Sequence, residues 1–386
     1  MSRLIPPIVI ALLATIAVCS GPAPERAQEE PAAEAEQKFG VRVQSGPMDS
    51  ILLKDYAPKN SLRLPRTDVD KARFPVIDVH AHSSQGSVRT AEDVASWVST
   101  MDEVGIEKTV ILTGATGERF DRQAELYLTE HADRFQLFCS VDKTDIEAPD
   151  YPQRAVSELE RCYRLGARGV GEMSDKGWGF VGSPSEPLPR DKRLHLDDPR
   201  LDPFWDKCAE LGIPVNIHVA DHPSCWQPLG PKQERTPDFQ HFNLHGKDVP
   251  SYEEILAKRD RLLEKHRDTT FIACHFSNQG NDLTALGEAL DRHPNLYLDL
   301  SARDYEIGRQ PRAAARFLTK YKDRVLFGTD MGRDEGMYRG WWRLLETADE
   351  FLPGRIWWAL YGLELPEEVL KRLYRDNALG LLKLDE

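Results

Sequence analysis

Two histidines stand near the end of the stretch PVIDVHAHSS, which covers residues 75–84. In a β-strand, residues i and i+2 point to the same face, so His80 and His82 would project together, about 6–7 Å apart along the backbone. Two imidazoles at that spacing can converge on one metal ion. A single H-x-H pair is weak support, because most such pairs are structural or accidental, so further ligands are needed.

Three more residues of ligand type stand in apolar runs farther along the chain: His218, His275 and Asp330. An unpaired polar group buried in such a run costs several kcal/mol. Four histidines and an aspartate near the ends of predicted strands are therefore poorly explained as separate core residues. Imidazole and carboxylate donors suit Zn²⁺, with Mn²⁺ or another divalent ion as the alternative. We expect one ion by default, and a second ion is an alternative.

The runs that carry these residues belong to a regular alternation of short β-branched stretches and amphipathic segments. In the segments, such as AEDVASWVSTMDEVGI and YPQRAVSELERCYRLGA, apolar residues recur every three or four positions, which predicts helices. The eight strand-like runs are 75–82, 108–115, 135–142, 168–174, 214–221, 270–277, 296–303 and 325–331. Eight βα units predict an α/β fold, a closed (β/α)8 TIM barrel. An open doubly wound sheet is the alternative, but no Gly-rich phosphate loop follows the first run.

Two connections, residues 175–199 and 222–250, follow the fourth and fifth predicted strands and are too long for simple turns. In a TIM barrel both loops lie on the C-terminal face, where active sites are built. We expect these loops to form a lid and the walls of a substrate pocket. The candidate pocket residues on them are Trp178, Phe180, His222, Trp226, Phe239 and Phe242.

These residues and their strand positions resemble the amidohydrolase superfamily, and more closely its amidohydrolase-2 group of small metal-dependent hydrolases and decarboxylases. The resemblance covers about residues 75–385 and includes the tail LPEEVLKRLYRDNALGLLKL, with its Asn-Ala-x-x-Leu-Leu element. The resemblance implies that His80, His82, His218 and Asp330 bind the metal. His275 would then be the acid or base that acts on metal-bound water, and Asp330 would share in that proton transfer.

Glu172, in the fourth predicted strand, has several interpretations. Two-metal relatives place a bridging carboxylate at this strand end, so Glu172 could bridge a second ion about 3.5–4 Å from the first. It could equally accept a hydrogen bond from a metal ligand, or lie at the barrel rim.

The expected activity is hydrolysis, in which metal-bound hydroxide attacks an ester, lactone or amide of a small carboxylated substrate. The first alternative is a nonoxidative metal-dependent decarboxylase, in which protonation replaces hydroxide attack. Arg303 and Arg333 are candidates to bind the substrate carboxylate, with rim salt bridges as the other interpretation. A catalytically retired binding protein is a weaker third hypothesis, because none of the expected ligands is missing.

The N-terminus indicates export. An apolar run from Ile8 to Val18 follows Arg3 and is too short to span a bilayer core of about 30 Å as a helix. The run is therefore interpreted as part of a signal peptide, and its ending IAVCS resembles a lipobox in which Cys19 is lipidated. The protein would then be periplasmic or lipid-anchored to the bacterial envelope. The predicted parts are a signal peptide (1–19), a disordered linker (20–38), an N-terminal extension (39–74) and the barrel (75–386).

Charge and cysteine usage limit the partners. The formal net charge of −13 disfavours nucleic acids and anionic membranes, so the expected partner is a small-molecule substrate, with membrane contact only through a lipid anchor. The five cysteines beyond Cys19 include no C-x-x-C pair and are interpreted as buried thiols. A homo-oligomer is an alternative to a monomer. Four tryptophans could cover a partner subunit or pack on the barrel: Trp341, Trp342, Trp357 and Trp358.

Overall fold

The computed structural model describes most of the chain. The described residues are 37–38, 41–42, 45–56, 59–181, 188–230, 233–235, 240–354 and 358–384. The predicted signal peptide and all but the last two residues of the predicted linker lie outside these ranges, as do Phe239 and Trp357. Export, lipidation at Cys19 and localisation therefore stay predictions. Among the described helices, none is both long and apolar enough to cross a membrane.

The chain divides into two compact units, Met1–Leu62 and Arg63–Glu386. In the first unit, the described residues form two short antiparallel strands, Gln37–Lys38 and Val41–Arg42, and a 3-10 turn, Leu53–Asp55. The second unit begins before the predicted start of the barrel at residue 75. In it, the backbone N–H and hydroxyl of Thr67 both donate to the Asp349 carboxylate at 2.8 Å. The last part of the predicted extension, 63–74, is therefore part of the barrel unit.

Within the described residues, eight parallel strands form one sheet in sequential order. They are β1 (Val76–Ala81), β2 (Ile106–Leu112), β3 (Phe135–Cys139), β4 (Ala167–Asp175), β5 (Val215–Val219), β6 (Phe271–Ala273), β7 (Leu296–Asp299) and β8 (Val325–Leu326). Two backbone hydrogen bonds join β1 to the segment that directly follows β8. Val79 N–H donates to Phe327 O at 3.0 Å, and Asp330 N–H donates to His80 O at 2.8 Å. The sheet thus closes on itself, and the predicted TIM barrel is confirmed.

The helices alternate with the strands as predicted. They are α1 (Ala91–Val104), α2 (Gly117–His131), α3 (Tyr151–Arg164), α4 (Asp202–Leu211), α5 (Tyr252–Lys265), α6 (Leu283–Arg292), α7 (Asp304–Arg309), α8 (Pro311–Lys320), α9 (Glu335–Glu346), α10 (Glu367–Lys371) and α11 (Asn377–Leu382). Helix α1 begins with a capping box between Thr90 and Asp93 and ends at Gly105, whose φ of +93° suits glycine. The alternation of strands and helices could be predicted because helix caps and the spacing of apolar residues indicate the same helices.

Most strands end earlier than their apolar runs predict, and the difference is largest at β6, β7 and β8. β6 stops at Ala273, although the run continues to Ser277, and β7 and β8 are shortened in the same way. Shortly beyond these strand ends the backbone leaves the extended conformation, with positive φ at His275, Ala302 and Asp330. The shortening therefore lies where the candidate ligands stand.

The C-terminal tail packs against the strands of the barrel. Ala378 and Leu382 of α11 lie in one buried cluster with Ile77 of β1, Val110 of β2 and Leu326 of β8. Trp341 and Trp342 of α9 are buried in the core, where both rings contact Phe327. These two tryptophans are not available to cover a partner subunit, because the barrel's own residues already cover them. Trp358 remains 38% exposed.

Candidate metal centre

The C-terminal strand ends bring all of the predicted ligands together. His80 lies in β1 and Glu172 in β4, His218 lies in β5, and His275 and Asp330 follow β6 and β8. The backbone here is strained: φ is positive at His275 (57°), at the next three residues, at Ala302 (51°) and at Asp330 (52°). Each such non-glycine residue costs about 1–2 kcal/mol. Strain of this kind persists where surrounding contacts hold a functional geometry in place.

Three of the imidazoles are held by their Nδ1 atoms. His80 Nδ1 donates to Asp299 Oδ2 at 3.0 Å, His82 Nδ1 to the Leu112 carbonyl at 2.8 Å, and His275 Nδ1 to the Ser301 carbonyl at 3.0 Å. A neutral imidazole that donates from Nδ1 presents the lone pair of Nε2. His80 Nε2 is buried and has no hydrogen-bond partner among the described residues. A buried ring nitrogen without a hydrogen-bond partner fits a metal ligand whose other nitrogen is fixed by a carboxylate.

The donor atoms form two groups. The first contains His80, His82 and Asp330; the second contains Glu172, His218, Cys274 and His275, and within each group all ligand atoms lie within 4.8 Å of one another. The distances in the first group include 3.4 Å from His82 Nε2 to Asp330 Oδ1 and 3.7 Å from His80 Nε2 to the same oxygen. These donor sets fit divalent metal ions of the kind that imidazole and carboxylate bind.

The carboxylate of Glu172 lies between the two groups. Its Oε2 faces the first group, 3.3 Å from His82 Nε2 and 3.8 Å from His80 Nε2. Its Oε1 faces the second group, in contact with His218 Nδ1 and 3.6 Å from His275 Nε2. One carboxylate therefore presents a separate oxygen to each group, and the rim position considered from sequence is excluded.

The charges around the cluster favour a cation. Burial opposes protonation of His80, but the charges of Asp299 and Asp330 raise its pKa to about 10. Without an ion the ring therefore carries a proton on Nε2 at pH 7, and a bound cation would take the place of that proton. Although burial opposes ionisation of Glu172, the imidazole of His218 holds the pKa of this carboxyl well below its usual range. Burial, followed by the charge of His218, lowers the pKa of His275 to about 4, so this ring is neutral at pH 7. Ionised carboxylates beside a neutral imidazole are what a divalent ion requires.

Two residues that support His218 were not singled out from the sequence. Its Nε2 lies 3.2 Å from Asp221 Oδ1, and Lys176 Nζ lies 3.0 Å from the same oxygen. Burial opposes ionisation of Asp221, but Lys176 holds the pKa of its carboxyl below the usual range. The charged pair orients the His218 ring, with its Nδ1 toward Glu172. The signal available in sequence was only the position of Lys176 and Asp221 just past strands β4 and β5.

Asp299 and Cys274 were also missed as parts of the site. Fully buried Asp299 accepts hydrogen bonds from His80 and from the backbone N–H of His275 at 3.1 Å, so it supports both groups. Cys274 Sγ lies 3.6 Å from Glu172 Oε1. Burial, followed by the charge of Glu172, raises the pKa of the Cys274 thiol well above its usual value. The five cysteines from Cys139 onward are all buried and free, as their spacing suggested.

Two of the predicted substrate-binding residues meet around a buried carboxylate. Glu306 Oε2 lies 3.8 Å from Arg303 Nε, and Glu306 Oε1 lies 3.9 Å from His222 Nε2. Arg303 also donates to the Asn278 side chain, while its Nε has no hydrogen-bond partner within the described ranges. Burial and the nearby guanidinium of Arg235 lower the pKa of His222 to about 3. His222 is therefore neutral at pH 7, and its role in substrate binding stays a prediction.

The other three predicted substrate-binding residues have structural contacts. Trp178 and Trp226 pack in a small cluster with Cys225, which joins the loops after β4 and β5. Arg333 donates to the Asp93 carbonyl at 2.6 Å and pairs with the Asp93 carboxylate at 3.8 Å. These contacts match the rim interpretation of Arg333, and direct binding of substrate by the three residues stays a prediction.

A closed eight-stranded barrel with imidazoles and carboxylates clustered at its C-terminal strand ends defines the class of metal-dependent TIM-barrel enzymes. A family model described as amidohydrolase matches residues 77–384. The chain belongs to this amidohydrolase family, a family of metal-dependent enzymes, as its strand motifs predicted. The hypothesis of a catalytically retired binding protein loses its support, because every expected ligand is present at one site.

Solved structures share the fold. A 2,6-dihydroxybenzoate decarboxylase from Rhizobium is 20% identical with a TM-score of 0.50, and the match covers 81% of this chain and 100% of that one. A proposed amidohydrolase from Staphylococcus aureus is 14% identical with a TM-score of 0.51, with 80% and 100% covered. At these identities the likeness shows the fold and leaves the reaction open. A search of curated proteins gave no match.

Proposed function

We propose that this enzyme is a two-metal hydrolase that cleaves an ester, lactone or amide of a small carboxylated substrate. The observation that carries the proposal is the position of Glu172, whose two oxygens face different ligand groups. Two-metal hydrolytic sites hold their ions about 3.5–4 Å apart, and a carboxylate with one oxygen toward each ligand group could contact both ions. The proposal therefore replaces the single ion expected by default from the sequence.

The two ligand groups would each hold one ion. His80, His82 and Asp330 would hold the first, His218 and His275 the second, and Glu172 both. Bound there, divalent ions supply positive charge that polarises a carbonyl oxygen and lowers the pKa of an attacking water. The second group is the more buried, since the His218 and His275 side chains are only 7% and 6% exposed, against 21% for His82. Substrate would accordingly approach over the first group.

Asp330 is placed to carry the proton. Its Oδ1 faces His80 and His82, while its Oδ2 lies 3.8 Å from His275 Nε2, and its side chain is 20% exposed. As the oxygen of the attacking water bonds to the carbonyl carbon, Asp330 would accept the water's proton. When the C–O or C–N bond then breaks, the same carboxyl would donate that proton to the leaving oxygen or nitrogen. In this scheme His275 is a ligand, not the proton carrier expected from sequence.

Arg303 supports a carboxylated substrate. It is nearly buried, lies two residues after Ser301, which fixes the His275 ring, and keeps one guanidinium N–H without a hydrogen-bond acceptor among the described residues. A guanidinium recognises a carboxylate through paired, charge-assisted hydrogen bonds. We propose that Arg303 binds the substrate carboxylate beside the metal cluster.

A nonoxidative decarboxylase is the second candidate, because Arg303 would also suit a substrate that loses its carboxylate. In that scheme one ion would suffice, and a proton would replace CO₂ on the carbon that carried it. The fold serves both reactions, so the site chemistry must decide between them.

Elemental analysis combined with product analysis tests the proposal. The purified enzyme should bind two equivalents of Zn²⁺ per chain and should hydrolyse members of a panel of carboxylated esters, lactones and amides without releasing CO₂. One tightly bound ion together with CO₂ release from a carboxylic acid panel would refute the hydrolase and establish the decarboxylase.

A further inference from the structure

Cys274 lies inside the second ligand group, and its thiol has no assigned role. We propose that the Cys274 sulfur is a ligand of the ion held by Glu172, His218 and His275, which makes this position selective for Zn²⁺ over Mn²⁺. This inference rests on the proposed two-metal function and concerns the identity of the second ion. It assigns the two positions different chemical character.

The spacing of the donors suits one tetrahedral ion. Ligand atoms bound to Zn²⁺ at about 2.0–2.3 Å lie about 3.3–3.8 Å from one another in tetrahedral geometry. Cys274 Sγ and His275 Nε2 each lie 3.6 Å from Glu172 Oε1. The ligand atoms of all four residues lie within 4.8 Å of one another. The sulfur therefore occupies the fourth donor position of a compact set, beside one carboxylate and two imidazoles.

The local backbone explains why sequence neighbours can serve one ion. Cys274 is extended, with φ −69° and ψ 164°, whereas His275 has φ +57°. The abrupt change of backbone conformation turns the His275 side chain away from the alternation expected in a strand. The backbone N–H of His275 is held by Asp299 Oδ1 and Ser301 Oγ, both at 3.1 Å. As a result, adjacent side chains face the same carboxylate oxygen.

Burial and donor softness separate the two positions. Cys274 is fully buried, and His218 and His275 are nearly so, while Glu172 is partly exposed. Thiolate ligands select Zn²⁺ and other softer ions, whereas carboxylate and imidazole donors also accept Mn²⁺. The first group, His80, His82 and Asp330, lacks sulfur and would accept either metal. On ligation, the S–H bond of Cys274 breaks and the proton passes to solvent. An electron pair of the sulfur then forms the bond to the ion, and neither the sulfur nor the ion changes its oxidation state.

Cobalt substitution tests the ligation directly. The full-length enzyme loaded with Co²⁺ should show thiolate-to-cobalt charge-transfer absorption in the near ultraviolet. Cys274→Ser and Cys274→Ala should both lose this absorption, while Cys225→Ala, which removes another buried thiol, should keep it. Circular dichroism would establish that each variant is folded.

Metal competition tests the selectivity. Wild-type enzyme should retain two equivalents of Zn²⁺ but one of Mn²⁺. Loss of a hydrogen bond that supports a metal ligand costs about 10- to 100-fold in metal affinity. The Cys274→Ser variant loses a ligand itself, so its affinity for the second Zn²⁺ should fall by at least this factor. Two bound Co²⁺ ions without charge-transfer absorption would overturn the role of Cys274 and leave the two-metal function intact. A single bound ion without that absorption, even with excess metal, would overturn both proposals.

Discussion

His80 and Asp299 are both fully buried, and the imidazole Nδ1 donates to the carboxylate Oδ2 at 3.0 Å. Asp299 ends β7, the sixth strand after β1 in the sheet. Closure of the barrel nevertheless brings β7 and β1 close enough for this contact. The hydrogen bond fixes the orientation of the His80 ring, so Nε2 faces Glu172 and Asp330. One carboxylate that touches no proposed substrate therefore decides whether a metal ligand is correctly oriented.

Replacing Asp299 with Asn should weaken metal binding without abolishing the fold. An amide holds the ring less strongly and lacks the negative charge that favours a cation, so affinity for the first ion should fall about 10- to 100-fold. Competition with a chromogenic chelator would measure the change. Asp78→Asn is the matched control, because Asp78 is equally buried and contacts the backbone N–H of His80 but not its ring. Equal loss of affinity in both variants would contradict a specific role for Asp299.

Replacing Glu172 with Gln should change the metal stoichiometry. A neutral amide cannot give an anionic oxygen to each ligand group, so the variant should retain about one ion where the wild type holds two. Elemental analysis after gel filtration would give the count. Glu346→Gln serves as control, since Glu346 is a buried carboxylate that accepts from Tyr374 outside the cluster. Two ions retained in the Glu172 variant would show that this residue does not bridge.

Replacing His275 with Asn separates its two candidate roles. Asn tolerates the left-handed backbone that His275 adopts, so the change should preserve the local fold. If His275 is a ligand, the variant should lose one bound ion together with its activity. If His275 only transfers a proton, the variant should keep its full metal content while the turnover rate falls about 10²- to 10⁴-fold. Metal content and turnover, measured on the same sample, decide between these results.

Replacing Arg303 with Met should reduce the affinity for carboxylated substrates. Loss of a charge-assisted hydrogen bond costs about 1.5–3 kcal/mol, which corresponds to an increase of about 10- to 150-fold in KM. A substrate whose carboxylate is blocked as an amide should be affected far less. Arg333→Met is the control, because Arg333 is held by Asp93 of α1. A larger increase in KM for Arg333→Met than for Arg303→Met would contradict the proposal and assign carboxylate binding to Arg333.

The fold could be predicted from sequence because its signals are local. Caps such as Thr90 with Asp93, and the spacing of apolar residues in α1 and α3, are written within single segments. Strand ends were predicted too long at β6, because an apolar run continues through Phe276 while the backbone already turns at His275. Apolarity reports burial, and buried residues at a strand end need not be extended.

The candidate site was predictable only in part. His80, His82, His218, His275 and Asp330 could be found because ligand residue types at strand ends stand out in apolar runs. Asp299, Asp221 and Cys274 could not, since their importance depends on contacts across the barrel: Asp299 lies 219 positions from the His80 ring that it orients. Trp178 and Trp226 were singled out only as aromatic residues on long loops; both pack in a small cluster with Cys225, and their role in substrate binding stays a prediction.

Away from the site, Glu158 should stabilise the barrel above pH 4.5 and lose this effect in acid. Its carboxylate accepts from Arg161 Nε at 2.8 Å and from the backbone N–H of Gly117 at 2.8 Å. The hydrogen bonds from Arg161 lower the pKa of Glu158 from 4.5 to about 2. Because the folded state has the lower pKa, the stabilisation is complete above the unfolded value and declines as pH falls toward 2. Glu158→Gln should therefore cost about 1–2 kcal/mol at pH 7 and much less near pH 3.

Urea unfolding followed by circular dichroism, with chelator present so that metal loss does not contribute, measures both values. Glu160→Gln on the same helix, whose partner Lys207 forms a more exposed pair, should cost under about 0.5 kcal/mol at either pH. A Glu158→Gln cost that stays constant from pH 7 to pH 3 would show that packing, not the carboxylate charge, is responsible.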